Sequence, residues 1–571
     1  MKADKRTASQ LLVEQLRANG VDRIFCVPGE SFLHVLDALL AFPEIDVVPC
    51  RHESGAAMMA EAYGKLTGRP GVAFVTRGPG ATNASAGVHV AHQDSTPLVL
   101  FIGHVERTAL ERDAFQEIDY KSMFSSFSKA VTCVMDARRL PEVVSRAFTL
   151  AVSGRPGPVV IALPEDILSE PLDTRAAPAS ARLRSAPSPR DIDTAAAAIS
   201  ASRRPTVVVG GGGWTAAAAE GMAAFAAAWE LPVVTSFRCQ DYVDNAHPCY
   251  AGNLGLGANP ALTAALTESD LILAVGARLG DVSTNGYSLL DIPEPEPALY
   301  HIHPEPRELG RIYRPTLGLV SDSAAAVTAL REMAPPAARP WRERTAAMRQ
   351  AYLQWTEPPP VPGALQMGQI MIYLRETLPA DAIVANGAGN FAIWPNRYHR
   401  YRSYRSMLAP TSGSMGYGIP AAVAAKILHP ERTVVAFAGD GDFMMTGQEL
   451  ATAMRQGAAI IVLLINNGMY GTIRMHQERE FPGRVSATTL TNPDFMQLAR
   501  SYGAFAARIT RTADFAPAFE AALASGGIAV IEMVSDPDML SPTDTISSLR
   551  QGDVRMPATA VAREDIAAQS V

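Results

Sequence analysis

Cysteine is scarce in this chain of 571 residues. Cys26, Cys50, Cys133, Cys239 and Cys249 are an odd number, and no Cys-x-x-Cys pair occurs. That excludes a disulfide framework and a cysteine zinc site, and it fits a reducing compartment. Long apolar runs are missing too. The stretch from Ala458 to Ile465 is far too short to cross a bilayer as a helix. The start, Met1-Lys2-Ala3-Asp4-Lys5-Arg6, has no secretory apolar core. The expectation is a soluble, cytoplasmic protein with no membrane partner. Basic excess is also lacking: the net charge is −7, so no global surface charge invites nucleic acid. Aromatic residues make up only 7% and charged residues 19%, yet 48% of the chain is apolar. Such a chain is neither disordered nor fibrous and has ample length for several cores.

Proline clusters punctuate the chain. One lies between Ser169 and Asp191, with Pro171, Pro178, Pro187 and Pro189; a broader one runs from Pro335-Pro336 to Pro358-Pro359-Pro360 and Pro362. Proline removes a backbone donor and restrains its predecessor, so these stretches read as linkers. They set expected domains at 1–185, 190–340 and 360–550, with a tail at 551–571. Each domain alternates helix-like segments with short Val- and Ile-rich runs lacking polar alternation. Examples are Gly71 to Thr76, Pro97 to Ile102, Leu271 to Val275, Thr433 to Ala438 and Ile460 to Ile465. Runs of this kind are strands covered on both faces, so the fold class is α/β, with three doubly wound, mainly parallel sheets. The alanine-rich segment Trp214 to Trp229 reads as a packing helix.

The strongest chemical signal is in the last third. The run Thr433 to Ala438 ends in Gly439-Asp440-Gly441-Asp442, a helix-like stretch Thr446 to Gln456 follows, and the run Ile460 to Ile465 ends in Asn466-Asn467. One strand–helix–strand unit brings those strand ends together. A carboxylate, an amide oxygen and a nearby carbonyl suit a hard divalent cation, and the glycines let backbone approach phosphate. Each tripeptide alone is a common turn; the order and spacing raise the metal-diphosphate reading above a double turn.

Gly439-Asp440-Gly441 with Asn466-Asn467 resembles the thiamine diphosphate fingerprint. Met445-Thr446-Gly447-Gln448-Glu449-Leu450 resembles the acetolactate synthase large-subunit family. So do Arg51-His52-Glu53, Gly78-Pro79-Gly80-Ala81-Thr82-Asn83, Asp113-Ala114-Phe115-Gln116-Glu117 and Gly413-Ser414-Met415-Gly416-Tyr417-Gly418. The resemblance implies pyrimidine-binding, central and diphosphate-binding domains in that order. It implies magnesium held by Asp440, Asn467 and the backbone oxygen of Met469. It implies cofactor contacts from Asn83, Gly389, Asn390, Gly413, Ser414, Met415, Gly439, Asp440, Gly441, Asp442, Asn467, Met469 and Tyr470. Met415, otherwise an ordinary core methionine, becomes the wedge that bends the cofactor. Glu53, otherwise a helix-dipole partner, becomes the carboxylate that bonds pyrimidine nitrogen N1′ and activates the thiazolium carbon. The substrates are a 2-oxo acid and a carbonyl acceptor. Glu53 and Asp440 lie on different domains, and the family solution is a site shared between chains of a homodimer or homotetramer.

Two departures, Glu30 and His476, bear on substrate choice. Val27-Pro28-Gly29-Glu30 has a carboxylate where the family has a second glycine; Glu30 reads either as a proton donor that releases an aldehyde or as a solvated loop residue. His476 stands where biosynthetic relatives have tryptophan, and reads either as an altered acceptor pocket or as an exposed helix residue. Gln116 matches the family's substrate-side glutamine. Gly210-Gly211-Gly212-Gly213 lacks the full dinucleotide fingerprint, although Gly276-Ala277-Arg278 resembles a flavin-binding segment. FAD is the alternative, and a central domain without nucleotide is the base expectation. His89 and His92 have no evident third ligand and read as packing. Three rivals to a carboligase remain: a non-ligating decarboxylase, a nicotinamide oxidoreductase and a catalytically silent binding subunit.

Overall fold

A computed structural model describes residues 6–552; most of the expected tail at 551–571 lies outside the described residues. Among the described residues three six-stranded parallel sheets account for the strands, apart from a short antiparallel pair, Arg6–Thr7 with Pro171–Leu172. In the first sheet the spatial order is Asp46–Pro49, Arg23–Cys26, Gly71–Val75, Leu98–His104, Pro158–Pro164, Ala130–Cys133. In the third it is Met407–Leu408, Ile383–Asn386, Val434–Gly439, Ile461–Asn466, Ala529–Val534, Phe505–Ile509. Taken in chain order, both sheets read second, first, third, fourth, sixth, fifth. The central sheet runs third, second, first, fourth, fifth, sixth, from Tyr250–Asn253 through Pro205–Val209 to Leu317–Val320.

The inner strands are the runs the sequence marks. Gly71–Val75, Pro158–Pro164 and Leu271–Val275 are buried throughout, as expected of parallel strands covered on both faces. The unmarked strands lie mostly at edges, as Ala130–Cys133 and Phe505–Ile509 do, where one side is half-exposed and apolar residues are not required. Ala298–His303 is an inner strand disguised by His301 and His303; the His301 imidazole Nε2 is paired with the Ala277 carbonyl at 2.8 Å.

The structure corrects two boundaries. The helix after the third-sheet strand begins at Asp440 itself, with Gly439 as its cap, and not at Thr446. The broad proline-flanked stretch contains a helix, Arg342–Trp355, which Trp341, Met348 and Tyr352 anchor to the central core. Helix Thr215 caps and Trp229 ends is the expected packing helix, Ala216–Trp229. The first and third domains share one core, where helix Glu53–Thr67 packs on helix Gly418–Leu428. Among the described residues no helix is long and apolar enough to cross a membrane.

Candidate active site

Ligands of doubly wound sheets sit beyond the carboxyl ends of strands, where the strand order reverses. In the third sheet that point lies between Ile383–Asn386 and Val434–Gly439. A cavity of about 250 Å³ opens there. Gly389, Asn390, Gly413, Met415, Gly439, Asp440, Gly441, Asp442, Asn467, Met469 and Tyr470 all line it. Ser414 does not; its hydroxyl turns to the Met415 carbonyl.

Each loop is fixed by bonds that the next supplies. Asp442 Oδ1 accepts N–H groups of Gly416 (2.8 Å) and Ala388 (3.1 Å), tying two cavity turns to the Asp440 helix. A Cβ at Gly387 would come within 2.1 Å of that oxygen, so only glycine fits. Burial pushes the Asp442 carboxyl up to about 7 against the pull of those N–H donors. Thr446 Oγ1 donates to the Gly416 carbonyl at 2.6 Å. Asn390 spends its side chain on neighbours, donating to the Leu540 carbonyl (2.8 Å) and accepting from Thr472 Oγ1 (2.9 Å).

The proposed metal donors face one wall. Asp440 Oδ2 accepts from Gly468 N–H (3.0 Å) and from Asn492 Nδ2 (2.7 Å), which orient the carboxylate. Asn467 Oδ1 accepts from Met469 N–H at 3.2 Å. Met469 opposes Thr489 in an isolated antiparallel bridge, flanked by Tyr470 N–H to Thr488 O and Leu490 N–H to Gly468 O. In such a non-hydrogen-bonded pair the residue's own carbonyl turns away from the partner strand. The donor set is therefore all oxygen with one carboxylate, which fits magnesium completed by phosphate oxygens. Among the described residues no group of three His, Cys, Asp or Glu forms a metal cage, so a protein-only metal site is not what this wall offers.

First-domain residues take no part in that cavity. Glu53 opens the helix Glu53–Thr67 and accepts from Asn83 Nδ2 at 2.9 Å, so the structure brings those two expected site residues together. Gln116, in the left-handed region at φ 65°, accepts Gly78 N–H on its carbonyl (3.0 Å) and approaches Arg77 Nε with its Oε1 (3.4 Å). Beside it Phe115 is 77% exposed. The Glu30 carboxylate is ion-paired with Arg77 Nη2, and Arg77 Nη1 lies 3.3 Å from Glu165 Oε1. His476 is exposed on helix Gly471–Glu480 and lies outside the cavity that its neighbours Thr472 and Ile473 line.

Sequence reasoning missed three residues. Arg77, only 9% exposed in its side chain, was signalled by a lone charge between an apolar strand and Gly78-Pro79-Gly80. Glu449 lay inside a motif already singled out. Asn492 had no signal, since it reaches Asp440 from 52 positions away.

The central glycines have a packing reason. A Cβ at Gly210 would strike Ser236 Oγ, at Gly211 the Gly276 carbonyl, at Gly212 the Ser95 carbonyl and at Gly213 the Arg182 guanidinium, all within 2.7 Å. His89 packs edge-on against Phe127 at 6.2 Å.

Sequence models of the thiamine pyrophosphate enzymes match the chain in three places. The N-terminal TPP binding domain matches residues 6–123, the central domain 192–330 and the C-terminal TPP binding domain 387–533. The chain is 32% identical to the acetolactate synthase isozyme 2 large subunit of Escherichia coli, over 91% of this chain and 94% of that one. It is 34% identical to the acetolactate synthase large subunit of Parasynechococcus marenigrum, over 87% and 82%, and 32% identical to that of Lactococcus lactis, over 88% of each. With all three domains matched and such relatives aligned over most of their length, the chain belongs to the thiamine pyrophosphate enzymes, among the acetolactate synthase-like members.

Proposed function

We propose that this enzyme, acting in the cytoplasm with thiamine diphosphate and magnesium, decarboxylates a 2-oxo acid and joins the remaining acyl fragment to a second carbonyl compound. The observation that carries this reading is the convergence of Asp440, Asn467, Met469 and Met415 in one glycine-lined cavity at a topological switch point. Thiamine diphosphate, when bound, supplies an electron sink for decarboxylation. Asp440, Asn467 and the Met469 carbonyl would hold magnesium against its diphosphate. Gly389, Gly439 and Gly441, which line the cavity, would bring backbone close to phosphate oxygens. Met415 would set the bend, and Glu53 would hold a proton at the pyrimidine ring nitrogen. The proposed units are 1–185, 190–340 and 360–550, with the helix Arg342–Trp355 added to the central one.

Glu53 does not line the Asp440 cavity of its own chain, which supports a site completed by a second copy. The Glu30–Arg77 pair supports ligation over aldehyde release, because it commits that carboxylate to a buried guanidinium. FAD has no part in the proposed chemistry.

The test is incubation with thiamine diphosphate, magnesium and a panel of 2-oxo acids and aldehydes, with carbon dioxide and every product measured. Ligated product is expected. Aldehyde alone would replace this reading with a non-ligating decarboxylase. Absence of cofactor binding by calorimetry would make the chain a silent binding subunit.

A further inference from the structure

Glu449 closes the short turn Gly447–Glu449 that follows the Asp440 helix, and it is 0% exposed. A buried carboxylate needs partners, and most of these lie in another domain. Its Oε1 accepts the N–H groups of Arg51 (3.1 Å) and His52 (3.0 Å); its Oε2 accepts Arg51 N–H (3.2 Å) and Thr452 Oγ1–H (2.6 Å). Arg51 and His52 are the two residues immediately before Glu53, between strand Asp46–Pro49 and the helix that Glu53 opens. The approach is tight: a Cβ at Gly55 would stand 2.4 Å from Glu449 Oε1.

Two fixed peptide N–H groups in succession leave the Cα of Glu53 little freedom, and Asn83 restrains the side chain at the other end. We propose that Glu449 is a positioning residue for Glu53, holding the Arg51–His52 loop so that the Glu53 carboxylate stands where a pyrimidine nitrogen can meet it. This rests on the reading of Glu53 given above. It adds that the domain offering Asp440 to the diphosphate also sets the carboxylate that its own cavity does not contain. A misplacement of about 1 Å in such a group slows a reaction by roughly 100-fold, so the effect should fall on activation and spare cofactor binding.

Glu449→Ala removes every acceptor. Glu449→Gln keeps one oxygen for both N–H groups and turns its amide toward the Thr452 hydroxyl. Amide hydrogen exchange on the cofactor-free protein should show Arg51 and His52 protected in the wild type and exchanging at least about tenfold faster in Glu449→Ala. Deuterium exchange at the thiazolium carbon of added thiamine diphosphate should slow about tenfold or more in Glu449→Ala, with cofactor affinity by calorimetry within about threefold of wild type. Glu449→Gln should stay near wild type in all three measurements. If Glu449→Ala does not fold, Glu449→Asp, which withdraws the carboxylate by one methylene, takes its place. Unprotected Arg51 and His52 amides in the wild type overturn the proposal. So does wild-type carbon–deuterium exchange in a folded Ala or Asp variant. Glu53→Gln is the control. If it too exchanges like wild type, the reading of Glu53 fails; if it is slow while the Glu449 variants are fast, only the proposal about Glu449 fails.

Discussion

The first and third domains are wired alike, strand for strand, yet their switch-point crevices differ in content. In the third domain the crevice between Ile383–Asn386 and Val434–Gly439 is lined by Gly389 and Gly439, both packed against the Phe391 ring, and a cavity of about 250 Å³ remains beside them. In the first domain the matching crevice, between Arg23–Cys26 and Gly71–Val75, is closed by side chains. Ser31 and Thr76 hydroxyls meet at 2.9 Å, and their chain neighbours Glu30 and Arg77 are ion-paired. Its glycine is packed as well, since a Cβ at Gly29 would strike Thr76 Cβ at 2.5 Å. The same topology thus offers two crevices, and the side chains at a few strand ends decide which one keeps a cavity. The filled domain instead presents Glu53 and Phe115 outward. One half is a receptacle and the other, on the proposed reading, a surface that meets a receptacle on another copy.

The largest expected effect comes from damaging the receptacle. Asp440→Ala should weaken magnesium-dependent binding of thiamine diphosphate by at least about 100-fold, because the cation loses its only carboxylate. Asn492→Ala should weaken it by about tenfold, since Asn492 only orients that carboxylate. Calorimetry with and without magnesium measures both. Equal affinity for folded Asp440→Ala protein would remove the cavity from the reading.

Next is a test of whether the two halves meet across chains. Neither Glu53→Gln nor Asp440→Ala protein should be active alone. Mixed under conditions that exchange subunits, they should recover about a quarter of wild-type activity, since half of the dimers are hybrid and each hybrid has one intact site. No recovery despite exchange shown by mass spectrometry would place both halves in one chain.

The sequence carries the receptacle better than the surface. Glycine, Asp440 and Asn467 announce themselves because close backbone approach and the proposed hard-cation chemistry call for particular residues at strand ends. The doubly wound fold is legible for the same kind of reason, since fully covered strands must be apolar. Edge strands and the inner strand Ala298–His303 are not, because exposure or a single buried hydrogen bond such as that of His301 relaxes the rule. Asn492 and Arg77 act through pairings across 52 and 47 positions, to Asp440 and Glu30 respectively. Pairings at that range depend on the fold and leave no local pattern.

A smaller effect is expected where the first crevice is filled. Arg77→Met releases the Glu30 carboxylate from its partner, so the share of released aldehyde should rise by about two- to fivefold if a freed Glu30 can hand over a proton. Adding Glu30→Gln to Arg77→Met should bring the product ratio back. A ratio unmoved by either change would mean that this pair only closes the crevice and does not touch the outcome.

The last expected effect is on stability and not on chemistry, and it concerns the footing of the receptacle. His399 follows the helix Ile393–Tyr398, which itself follows the Gly389–Asn390 turn of the cavity. Its ring packs edge-on against Tyr401 at 4.8 Å, and burial, with Arg375 nearby, lowers its pKa from 6.5 to about 4. Between those two values the unfolded chain binds the proton and the folded chain does not, so stability falls as the pH drops from about 6.5 toward 4. The full penalty for one such buried group is on the order of 3 kcal/mol. Asp241, pushed up to about 6 by burial while holding the Ser406 and Met407 N–H groups, works in the opposite sense below that value. The informative quantity is therefore the difference between proteins. His399→Phe keeps a ring against Tyr401 and carries no proton, so its denaturant midpoint should fall less than that of wild type between pH 6.5 and pH 4. Because the histidine caps the helix that the Gly389–Asn390 turn leads into, acid should also loosen amide protection around Gly389 before it does so around Glu53, and His399→Phe should abolish that order. Parallel acid slopes for the two proteins would show that the ring is already charged or solvated in the fold.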